Sequence, residues 1–446
     1  MKVVHIAFEC APIYKTGGLG DVIGALPIYQ KKLGLETYVL MPGYGFITQL
    51  PRLPKSSVPV IYAESPYFKE KNSKHDPKIA APKYAHFALQ ALFELKKRNI
   101  VPDIIHCHDW HTGLIPFMLK NQPDSFFINT KVILSIHNIG YQGNFPLKFL
   151  DTPETAQILP LLNKNSKRIN FLKQGIHNSD YILTVSPNHA REIRKRQVGF
   201  GLADVISKKR GRFKGILNGI DYDIWNPKTD KHLLQRYSRA HVENKKYKNK
   251  LTLQRQLQLE INKDIPLFGM VARLSKQKGT ELLLPLLSQF PKRRVQLVIL
   301  GTGDKHYEKL LKRYDKKRFG EWLSVNFRFD EELAHRIYAA SDFFLIPSLY
   351  EPCGLTQIIA MAYGSLPVAT RVGGLADTVI EGKTGFLFES FSSAALLQTI
   401  DRALNVWQNP DKYQLLQKKA MMGIFSWKKS ARQYVKLYHK LLKSSK

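Results

Sequence analysis

The chain has 446 residues, of which 44% are hydrophobic, and it carries 68 Lys and Arg against 36 Asp and Glu, a formal net charge of +32. This length favours two or three domains that each bury a core of their own, and no apolar run reaches the ~18 residues needed to span a bilayer. Cys10, Cys107 and Cys353 are odd in number and widely spaced, which argues against a disulfide framework or a structural zinc site. Because only a short apolar strand precedes Glu9, Pro12 and Lys15, we expect no secretory signal and a cytoplasmic protein.

Part of the positive charge is concentrated in five basic clusters. They lie at residues 191–196, 208–214, 245–250, 305–318 and 443–446. Such a surplus can bind nucleic acid or anionic lipid by neutralising phosphates. Because the clusters are dispersed and no nucleic-acid motif accompanies them, we favour a solvated lysine-rich surface. We therefore expect neither nucleic acid nor a membrane as a partner.

In the first half of the chain, short apolar runs alternate with helical or mixed segments. The strand-like runs lie at residues 2–8, 37–41, 103–107, 131–136, 181–185 and 213–217. This alternation is typical of βαβ units and a parallel sheet. A turn at Trp225-Asn226-Pro227 closes this half, so the first predicted domain covers residues 1–227.

A glycine-rich turn, Lys15-Thr16-Gly17-Gly18-Leu19-Gly20-Asp21, follows the first predicted strand. A strand, such a turn and then a helix is an arrangement that brings backbone N–H groups to a phosphate. Gly17 and Gly18 have no Cβ and tolerate φ > 0, Lys15 supplies a cation, and Asp21 lies at the predicted helix start. The spacing matches neither a dinucleotide fingerprint nor a P-loop, so on this evidence the turn is either an anion site or a tight structural turn.

Histidines concentrate at the predicted strand end that follows Asp103. His106, His108 and His111 surround Asp109 there, which by itself resembles a metal site. Alternate side chains of a strand point to opposite faces, so His106 and His108 share a face that Cys107 does not. Because no carboxylate-rich cluster accompanies them, we predict no metal and interpret the segment as a polar strand end facing a cleft.

The next predicted strand ends in His137-Asn138. A lone histidine is more often a satisfied structural residue than a catalyst. In open α/β sheets, however, ligands gather at the carboxyl ends of the strands. The position therefore raises the weight of a functional role without excluding the structural one.

The second half repeats the alternation. Residues 228–262 are charged and rich in Gln, Lys and Leu, which indicates a connecting helix region, and a second βαβ series runs from residue 265 to about 425. The second predicted domain therefore covers residues 228–425. Its apolar runs end in polar turns, as in the first half, and two such sets predict two sheets facing one cleft.

Two of these turns carry candidate site residues. Arg273 and Lys278 flank a short loop before Gly279; they suit a diphosphate or pair with surface carboxylates. Glu351 precedes Pro352-Cys353-Gly354-Leu355 at a strand-to-helix turn, where a carboxylate can simply cap the helix, a contribution of ~1 kcal/mol. A helical pattern then runs from residue 356 to 363.

The last segment, residues 426–446, is predicted to be one amphipathic helix. Its apolar positions fall on one face, with lysines opposite. These positions are Trp427, Tyr434, Leu437, Tyr438, Leu441 and Leu442.

Seven motifs in order resemble those of bacterial glycogen synthases and plant starch synthases. They are KTGGLGD, HCHDWHTGL, HNIGYQGNF, GILNGIDYDIWNP, RLSKQKG, YEPCGLTQ and GGLADTV. The resemblance covers nearly the whole chain and implies an α/β fold of two Rossmann-like domains facing a deep cleft (GT-B type), with the final helix crossing back to the first domain. It also implies a retaining transferase that extends an α-1,4-glucan from ADP-glucose, with no metal or other cofactor.

The resemblance also implies residue roles. It places Asp109 and His111 beside the sugar or acceptor. It implies that His137 is not a general base but hydrogen-bonds the glucosyl ring, through either its backbone carbonyl or its imidazole, and helps to stabilise the charge that develops at the anomeric carbon. Glu351 orients the donor sugar, while Arg273 and Lys278 hold the diphosphate that departs. The further substrate-binding residues are Lys15, Gly17, Gly18, Asp21, Asn138, Cys353, Gly354, Leu355 and Thr356.

The chain departs from the pattern of the wider clan in a few places. Ile359 stands where the wider clan often has a second glutamate, and the absence of that glutamate is usual for glycogen synthases. Leu349 stands where an arginine is common. The regions near 51–84 and 382–388 look shortened. Three alternatives stay open: a UDP-glucose-dependent enzyme, another retaining glycosyltransferase with a different acceptor, and a non-catalytic glucan- or polyanion-binding relative. The oligomeric state is also left open.

Overall fold

The computed structural model describes residues 1–49, 51, 57–69, 76–162, 166–314 and 321–443. They form two compact units, the first made of Met1–Asn218 and Trp427–Lys446, and the second of Gly219–Ser426. The division falls between residues 218 and 219, not between 227 and 228, because Ile220 is buried in the core of the second unit and donates a hydrogen bond to the Phe425 carbonyl. The basic positions 315–318 and 444–446 lie outside the described residues.

The strands of the first unit are short and mostly buried. In chain order they are β1 (Lys2–Ile6), β2 (Glu36–Pro42), β3 (Val60–Ala63), β4 (Ile104–His108), β5 (Lys131–Ile136), β6 (Asn144–Pro146), β7 (Arg168–Asn170), β8 (Tyr181–Thr184) and β9 (Phe213–Gly215). The predicted strands are confirmed. The strands that were not predicted are β3, β6 and β7, which have three or four residues each.

Helices connect these strands. The α-helices are α1 (Gly18–Lys31), α2 (Pro77–Lys97), α3 (Leu114–Asn121), α4 (Phe171–Asn178), α5 (Pro187–Glu192) and α6 (Ala203–Ser207). Shorter 3₁₀ turns lie at Pro66–Phe68, Trp110–Thr112, Ser125–Phe127, Leu147–Leu150 and Ala156–Leu161.

The main sheet of the first unit has the order β3-β2-β1-β4-β5-β8-β9, and its neighbouring strands are parallel. Val3 of β1 lies opposite Thr37 on one side and Ile104 on the other, so the order of the strands reverses at β1. Ligands of doubly wound sheets bind at such a reversal, beyond the carboxyl ends of the strands. The glycine-rich turn, Asp109 and His137 all follow strands at this edge.

The second unit contains a sheet of the same kind. Its strands are β10 (Leu267–Val271), β11 (Gln296–Leu300), β12 (Leu323–Asn326), β13 (Phe343–Ile346), β14 (Leu366–Thr370) and β15 (Phe386–Phe388). Its α-helices are α7 (Val242–Gln256), α8 (Thr280–Leu283), α9 (Lys305–Lys312), α10 (Glu331–Ala340), α11 (Thr356–Ala362), α12 (Gly373–Thr378), α13 (Ser393–Trp407) and α14 (Pro410–Met422). Its 3₁₀ turns are Arg239–His241, Leu284–Gln289 and Pro291–Arg293.

The strands of this second sheet have the order β12-β11-β10-β13-β14-β15 and are parallel. The order reverses between β10 and β13, which are the strands that precede Arg273 and Glu351. Both described units are therefore Rossmann-like, and in each the predicted site residues follow the strands at the reversal.

The final helix, α15 (Trp427–Lys443), packs on the first unit. Trp427, Tyr434, Leu437 and Tyr438 are buried against α1 and the ends of the central strands, while Leu441 and Leu442 are half-buried. Apolar side chains on one face explain why the chain returns here after the second unit. The predicted helix and its apolar face are confirmed.

One basic cluster differs from the prediction of a solvated surface. In the 245–250 segment, Lys246 and Lys250 are 4% and 1% exposed. Lys246 Nζ donates to the carbonyls of Tyr338 and Ala339, and Lys250 Nζ forms an ion pair with Asp342 at 2.6 Å. Helix α7 uses these lysines to satisfy polar groups of the second unit, so they contribute packing as well as charge. Among the described residues, none of the helices is long and apolar enough to cross a membrane.

Candidate active site

A buried carboxylate that was not singled out from the sequence holds the glycine-rich turn. Glu9 is 1% exposed, and its Oε2 accepts hydrogen bonds from the Thr16 N–H and hydroxyl, each at 2.6 Å. Its Oε1 accepts a third from the Gly20 N–H at 3.0 Å. Glu9 therefore fixes both the turn and the start of α1. The sequence feature that could have identified Glu9 is the position of an acidic residue shortly after an apolar strand.

Gly17 and Gly18 form the amino end of α1. Gly17 is the N-cap residue with φ −164°, and the helix starts at Gly18, so Asp21 lies in its first turn and not at its start. Neither glycine has a positive φ, so the tolerance of glycine for a left-handed backbone is not used here. The glycines instead keep the space ahead of the helix open, since a Cβ built on Gly18 meets no atom within 4 Å. Their N–H groups have no partner among the described residues.

The two charged residues of the turn bind each other. Lys15 Nζ lies 2.6 Å from an Asp21 carboxylate oxygen, and the side chains are 37% and 35% exposed. An ion pair this exposed contributes only ~0–1 kcal/mol. Little free energy is therefore lost if Lys15 turns toward an anion at the end of the helix.

Asp109 organises the turn that contains His137. Its Oδ1 accepts hydrogen bonds from the backbone N–H groups of His137 at 2.7 Å and Asn138 at 3.2 Å. The residue is buried and its backbone has φ +59°, which is unusual for a residue other than glycine. Burial raises the Asp109 pKa to about 7, while the two backbone hydrogen bonds oppose the rise. The structure thus shows Asp109 as a support for the strand end after β5.

The histidines of β4 do not face the edge of the sheet. His106 and His108 are wholly buried, and their rings stack with centroids 4.3 Å apart. The prediction of a polar, cleft-facing strand end is wrong for these two, because they point into a core where His5 of β1 joins them. The prediction that they share one face is confirmed. His111 is half-buried and stacks on Phe8.

The three buried histidines of β1 and β4 lie close enough together to suggest a metal site. One ligand atom from each of His5, His106 and His108 lies within 4.8 Å of the others. Every ring nitrogen of the three is already hydrogen-bonded, however. A metal ion would have to displace these bonds, so the donor set does not fit a resident metal.

His137 stands at the carboxyl end of β5 and is half-buried. Its Nε2 lies 2.9 Å from Nδ1 of His108, while its Nδ1 has no partner among the described residues. Burial lowers the His137 pKa to about 3. A ring that is neutral near pH 7 and this weakly basic is a poor general base but a good hydrogen-bonding group.

In the second unit, Lys278 and Glu351 form an ion pair although they are far apart in sequence. Lys278 Nζ lies 2.5 Å from Glu351 Oε2, which also accepts a hydrogen bond from the Ser348 hydroxyl at 3.1 Å. The Glu351 side chain is 8% exposed and the Lys278 side chain 25%. Helix α11 begins after Leu355 as its N-cap residue, so Glu351 is not a helix cap. Ser348 was not identified from the sequence as a candidate site residue.

Arg273 is exposed and forms no ion pair within the described residues. The alternative that it pairs with a surface carboxylate is therefore not met. Lys278 does pair with a carboxylate, but its partner is Glu351, which belongs to the other turn that was predicted to carry site residues. The structure thus brings Lys278 and Glu351 together and leaves the Arg273 guanidinium available at the end of β10.

Two glycines fix the backbone of these turns. A Cβ on Gly279, at φ +71°, would lie 1.8 Å from the Pro347 carbonyl oxygen, and one on Gly373, at φ +43°, would lie 1.9 Å from that of Glu351. The Gly374 N–H donates to the Glu351 carbonyl at 3.0 Å. The segment that begins α12 therefore holds the turn after β13, a contact between motifs that sequence order does not reveal.

The remaining predicted binding residues lie along the turn after Glu351. Cys353 is buried, whereas Gly354, Leu355 and Thr356 are half-buried. Gln357 Nε2 donates to the carbonyls of Cys353 and Gly354, so this backbone is rigidly placed. Asn138 Oδ1 in the first unit accepts from the Gly140 N–H and belongs to the turn held by Asp109.

Comparison with known proteins agrees with the two units. Residues 2–208 match the starch synthase catalytic domain family and residues 254–420 match the glycosyl transferases group 1 family. The glycogen synthases of Alkaliphilus metalliredigens and Thermosipho melanesiensis are each 38% identical to this chain over 99% of its length, and the match covers 100% and 99% of theirs. The chain belongs to the glycogen synthase family.

Solved structures agree with this assignment. The catalytic domain of starch synthase IV from Arabidopsis thaliana, bound to ADP and acarbose, superposes with a TM-score of 0.91 at 30% identity, covering 99% of each chain. Sucrose-phosphate synthase from Thermosynechococcus elongatus shares the fold, with a TM-score of 0.68 at 20% identity and 99% of each chain covered. The fold is that of the GT-B glycosyltransferases, and members of the chain's family are glycosyltransferases.

Proposed function

We propose that the chain transfers glucose from ADP-glucose to the non-reducing end of an α-1,4-glucan, with retention of configuration. The observation that carries the proposal is the ion pair of half-buried Lys278 with buried Glu351, which also accepts from Ser348, at the carboxyl ends of β10 and β13. The catalytic domain of a starch synthase that is 30% identical to this chain is bound to ADP and acarbose, and the bound ADP supports the choice of an adenine nucleotide in the donor.

Glu351 is proposed to bind hydroxyls of the donor sugar. Its carboxylate is held by Lys278 and Ser348 and its backbone by Gly374, so its position is fixed before substrate arrives. A preorganised acceptor of this kind costs no reorganisation during the reaction. It orients the anomeric carbon without needing to form a covalent bond.

Arg273 and Lys278 are proposed to hold the diphosphate. In the reaction, the bond between the anomeric carbon and the phosphate oxygen breaks, and the acceptor 4-hydroxyl oxygen bonds to the same face of that carbon. The hydroxyl proton passes to the departing phosphate. Because negative charge on the leaving group grows as the bond breaks, cations at this position stabilise the transition state more than the bound donor.

No metal is required in this proposal. In the second unit, Arg273 and Lys278 supply positive potential for the diphosphate, and in the first unit the N–H groups of Gly17 and Gly18 at the amino end of α1 supply it for an anion. His137 is proposed to hydrogen-bond the glucosyl ring, and Asp109 to keep His137 in place through the backbone bonds described above.

We also propose a cytoplasmic location, in keeping with three cysteines that are buried and free. The dispersed lysines are proposed to be mostly surface charge, with Lys246 and Lys250 as the structural exceptions.

The test compares ADP-glucose with UDP-glucose as donors on glycogen, for the wild type and for Glu351→Ala. The wild type should transfer glucose with a clear preference for ADP-glucose, and the variant should lose most activity while keeping its circular-dichroism spectrum and melting temperature within a few degrees. Arg293→Ala, which breaks an ion pair with Asp401 elsewhere in the second unit, is the control. A Glu351→Ala enzyme with near-normal turnover contradicts the proposed role, and binding of glucan without transfer favours the non-catalytic alternative.

A further inference from the structure

A continuous series of hydrogen bonds runs through the core of the first unit, from the final helix to His137. Gln30 Nε2 lies 3.1 Å from the Tyr438 hydroxyl, and Gln30 Oε1 lies 2.7 Å from His5 Nε2. His5 Nδ1 then lies 3.0 Å from His108 Nε2, and His108 Nδ1 lies 2.9 Å from His137 Nε2. Apart from His137, all of these residues are wholly buried. We call this series the histidine chain.

A branch anchors the far end of the histidine chain. The Tyr438 hydroxyl lies 2.6 Å from His106 Nδ1, and His106 Nε2 lies 2.7 Å from the Ser135 hydroxyl. The structure places Gln30 Nε2 toward Tyr438 and Gln30 Oε1 toward His5. In this orientation the Tyr438 hydroxyl accepts from the amide and has its own proton to donate to His106 Nδ1, so Tyr438 holds the amide with Oε1 facing His5.

The orientation of the Gln30 amide determines the direction of every bond that follows. An amide oxygen only accepts, so His5 Nε2 carries a proton. Burial lowers the pKa of His5 to about 4 and that of His108 well below its usual value, so each ring is neutral and carries one proton. His5 Nδ1 must then accept from His108 Nε2–H, and His108 Nδ1 must accept from His137 Nε2–H.

We propose that Gln30 and Tyr438 are positioning residues that determine, through His5 and His108, which nitrogen of His137 carries its proton. His137 then presents an unprotonated Nδ1 at the carboxyl end of β5, as an acceptor for a substrate hydroxyl. This inference rests on the proposed placement of the sugar beside His137. It also gives the final helix a role in the site, since Tyr438 belongs to α15.

The decisive variant is Gln30→Leu. It removes the acceptor for His5 Nε2–H, and a buried donor without an acceptor is costly. The proton therefore moves to His5 Nδ1, and the direction of each following hydrogen bond in the histidine chain reverses. Nitrogen-15 NMR of histidine-labelled protein should show His137 change from the Nε2–H form to the Nδ1–H form. The value of kcat/KM should fall roughly tenfold, as expected when one substrate hydrogen bond is lost.

Gln254→Leu is the matched control, because Gln254 is equally buried and hydrogen-bonded, but in the second unit. It should leave the His137 nitrogen shifts as in the wild type. Tyr438→Phe is a second variant that keeps the ring in the core and frees the Gln30 amide to turn, so His137 should show both forms.

Two results would overturn the inference: a His137 that stays entirely Nε2–H in both Gln30→Leu and Tyr438→Phe, or a reversed His137 with an unchanged kcat/KM. Failure of the proposed function is distinguishable from both. If the wild type transfers no glucose, the NMR measurement still reports on the histidine chain.

Discussion

The Lys278–Glu351 ion pair allows a sharp test, because removing Lys278 has two separable consequences. The first is structural: Glu351 is left buried, and among the described residues the Ser348 hydroxyl is its remaining side-chain donor. Breaking a fully buried ion pair costs ~3–5 kcal/mol. Since the Lys278 side chain is 25% exposed, water can partly replace the ammonium, and we expect Lys278→Ala to lower the free energy of unfolding by ~1–3 kcal/mol.

The second consequence is catalytic. If Lys278 stabilises charge on the departing phosphate, its removal raises the barrier by ~2–4 kcal/mol, as for loss of one preorganised donor. That corresponds to a fall in kcat of about thirtyfold to about a thousandfold. The KM for the donor should change much less, because the charge grows mainly in the transition state.

The two effects separate in the double variant Lys278→Ala/Glu351→Gln. A neutral amide no longer leaves a buried charge unpaired, so most of the lost stability should return, while kcat stays low. Initial rates of ADP release with glycogen, and urea denaturation of the same samples at pH 7, measure the two quantities. A Lys278→Ala enzyme with kcat within a factor of ~3 of the wild type and reduced stability would refute the reasoning, since Lys278 would then be only a structural partner of Glu351.

Three further predictions follow from individual contacts. Arg273 is exposed and forms no ion pair within the described residues, so Arg273→Ala should change the melting temperature by no more than about a degree while raising the activation barrier by ~2–4 kcal/mol and thus lowering kcat. Arg273→Lys should restore kcat only in part, because an ammonium lacks the planar two-pronged donor. An unchanged kcat in Arg273→Ala would remove Arg273 from the site. Burial lowers the Lys246 pKa to about 7, below its value in the unfolded chain, so the unfolded chain binds more protons between about pH 7 and 10. The free energy of unfolding should therefore rise with pH in this range, by at most ~1.4 kcal/mol per pH unit from this group. Urea denaturation at several pH values should give a smaller slope of unfolding free energy against pH for Lys246→Met than for the wild type, and equal slopes would contradict the assignment. Dialysis against EDTA should leave the initial rate unchanged, whereas a loss restored by one particular divalent ion would show that the site does require a metal.

Much of the active-site edge was predictable because it depends on local sequence. An apolar run followed by a polar or glycine-rich turn marks the carboxyl end of a buried strand, and this located the turns after β1, β5, β10 and β13. The amphipathic pattern of α15 likewise placed Trp427 and Tyr438 on one buried face. These features follow from the periods of strand and helix, which any short window of sequence displays.

The direction in which polar side chains point was not predictable in the same way. The sequence predicted correctly that His106 and His108 lie on the same face of the strand. It did not show whether that face is exposed to solvent or buried, because β1 and α15 cover it only in the folded structure. Glu9 gave no periodic signal, since its role arises from a turn that folds back onto it. Lys246 and Lys250 resembled surface charge because their partners are carbonyls and a carboxylate distant in sequence.

The sequence by itself determined the alternation of strands and helices, the two Rossmann-like series and the turns that carry Lys15, His137, Arg273 and Glu351, because each of these depends on residues within a few positions of one another. Only the tertiary structure decided that Lys278 pairs with Glu351, that Asp109 supports the His137 turn, and that Gln30 connects α15 to a row of histidines. The reason is that parallel strands adjacent in a sheet are separated in sequence by a crossover connection of a dozen or more residues. Contacts across their ends therefore join residues whose pairing no local pattern records.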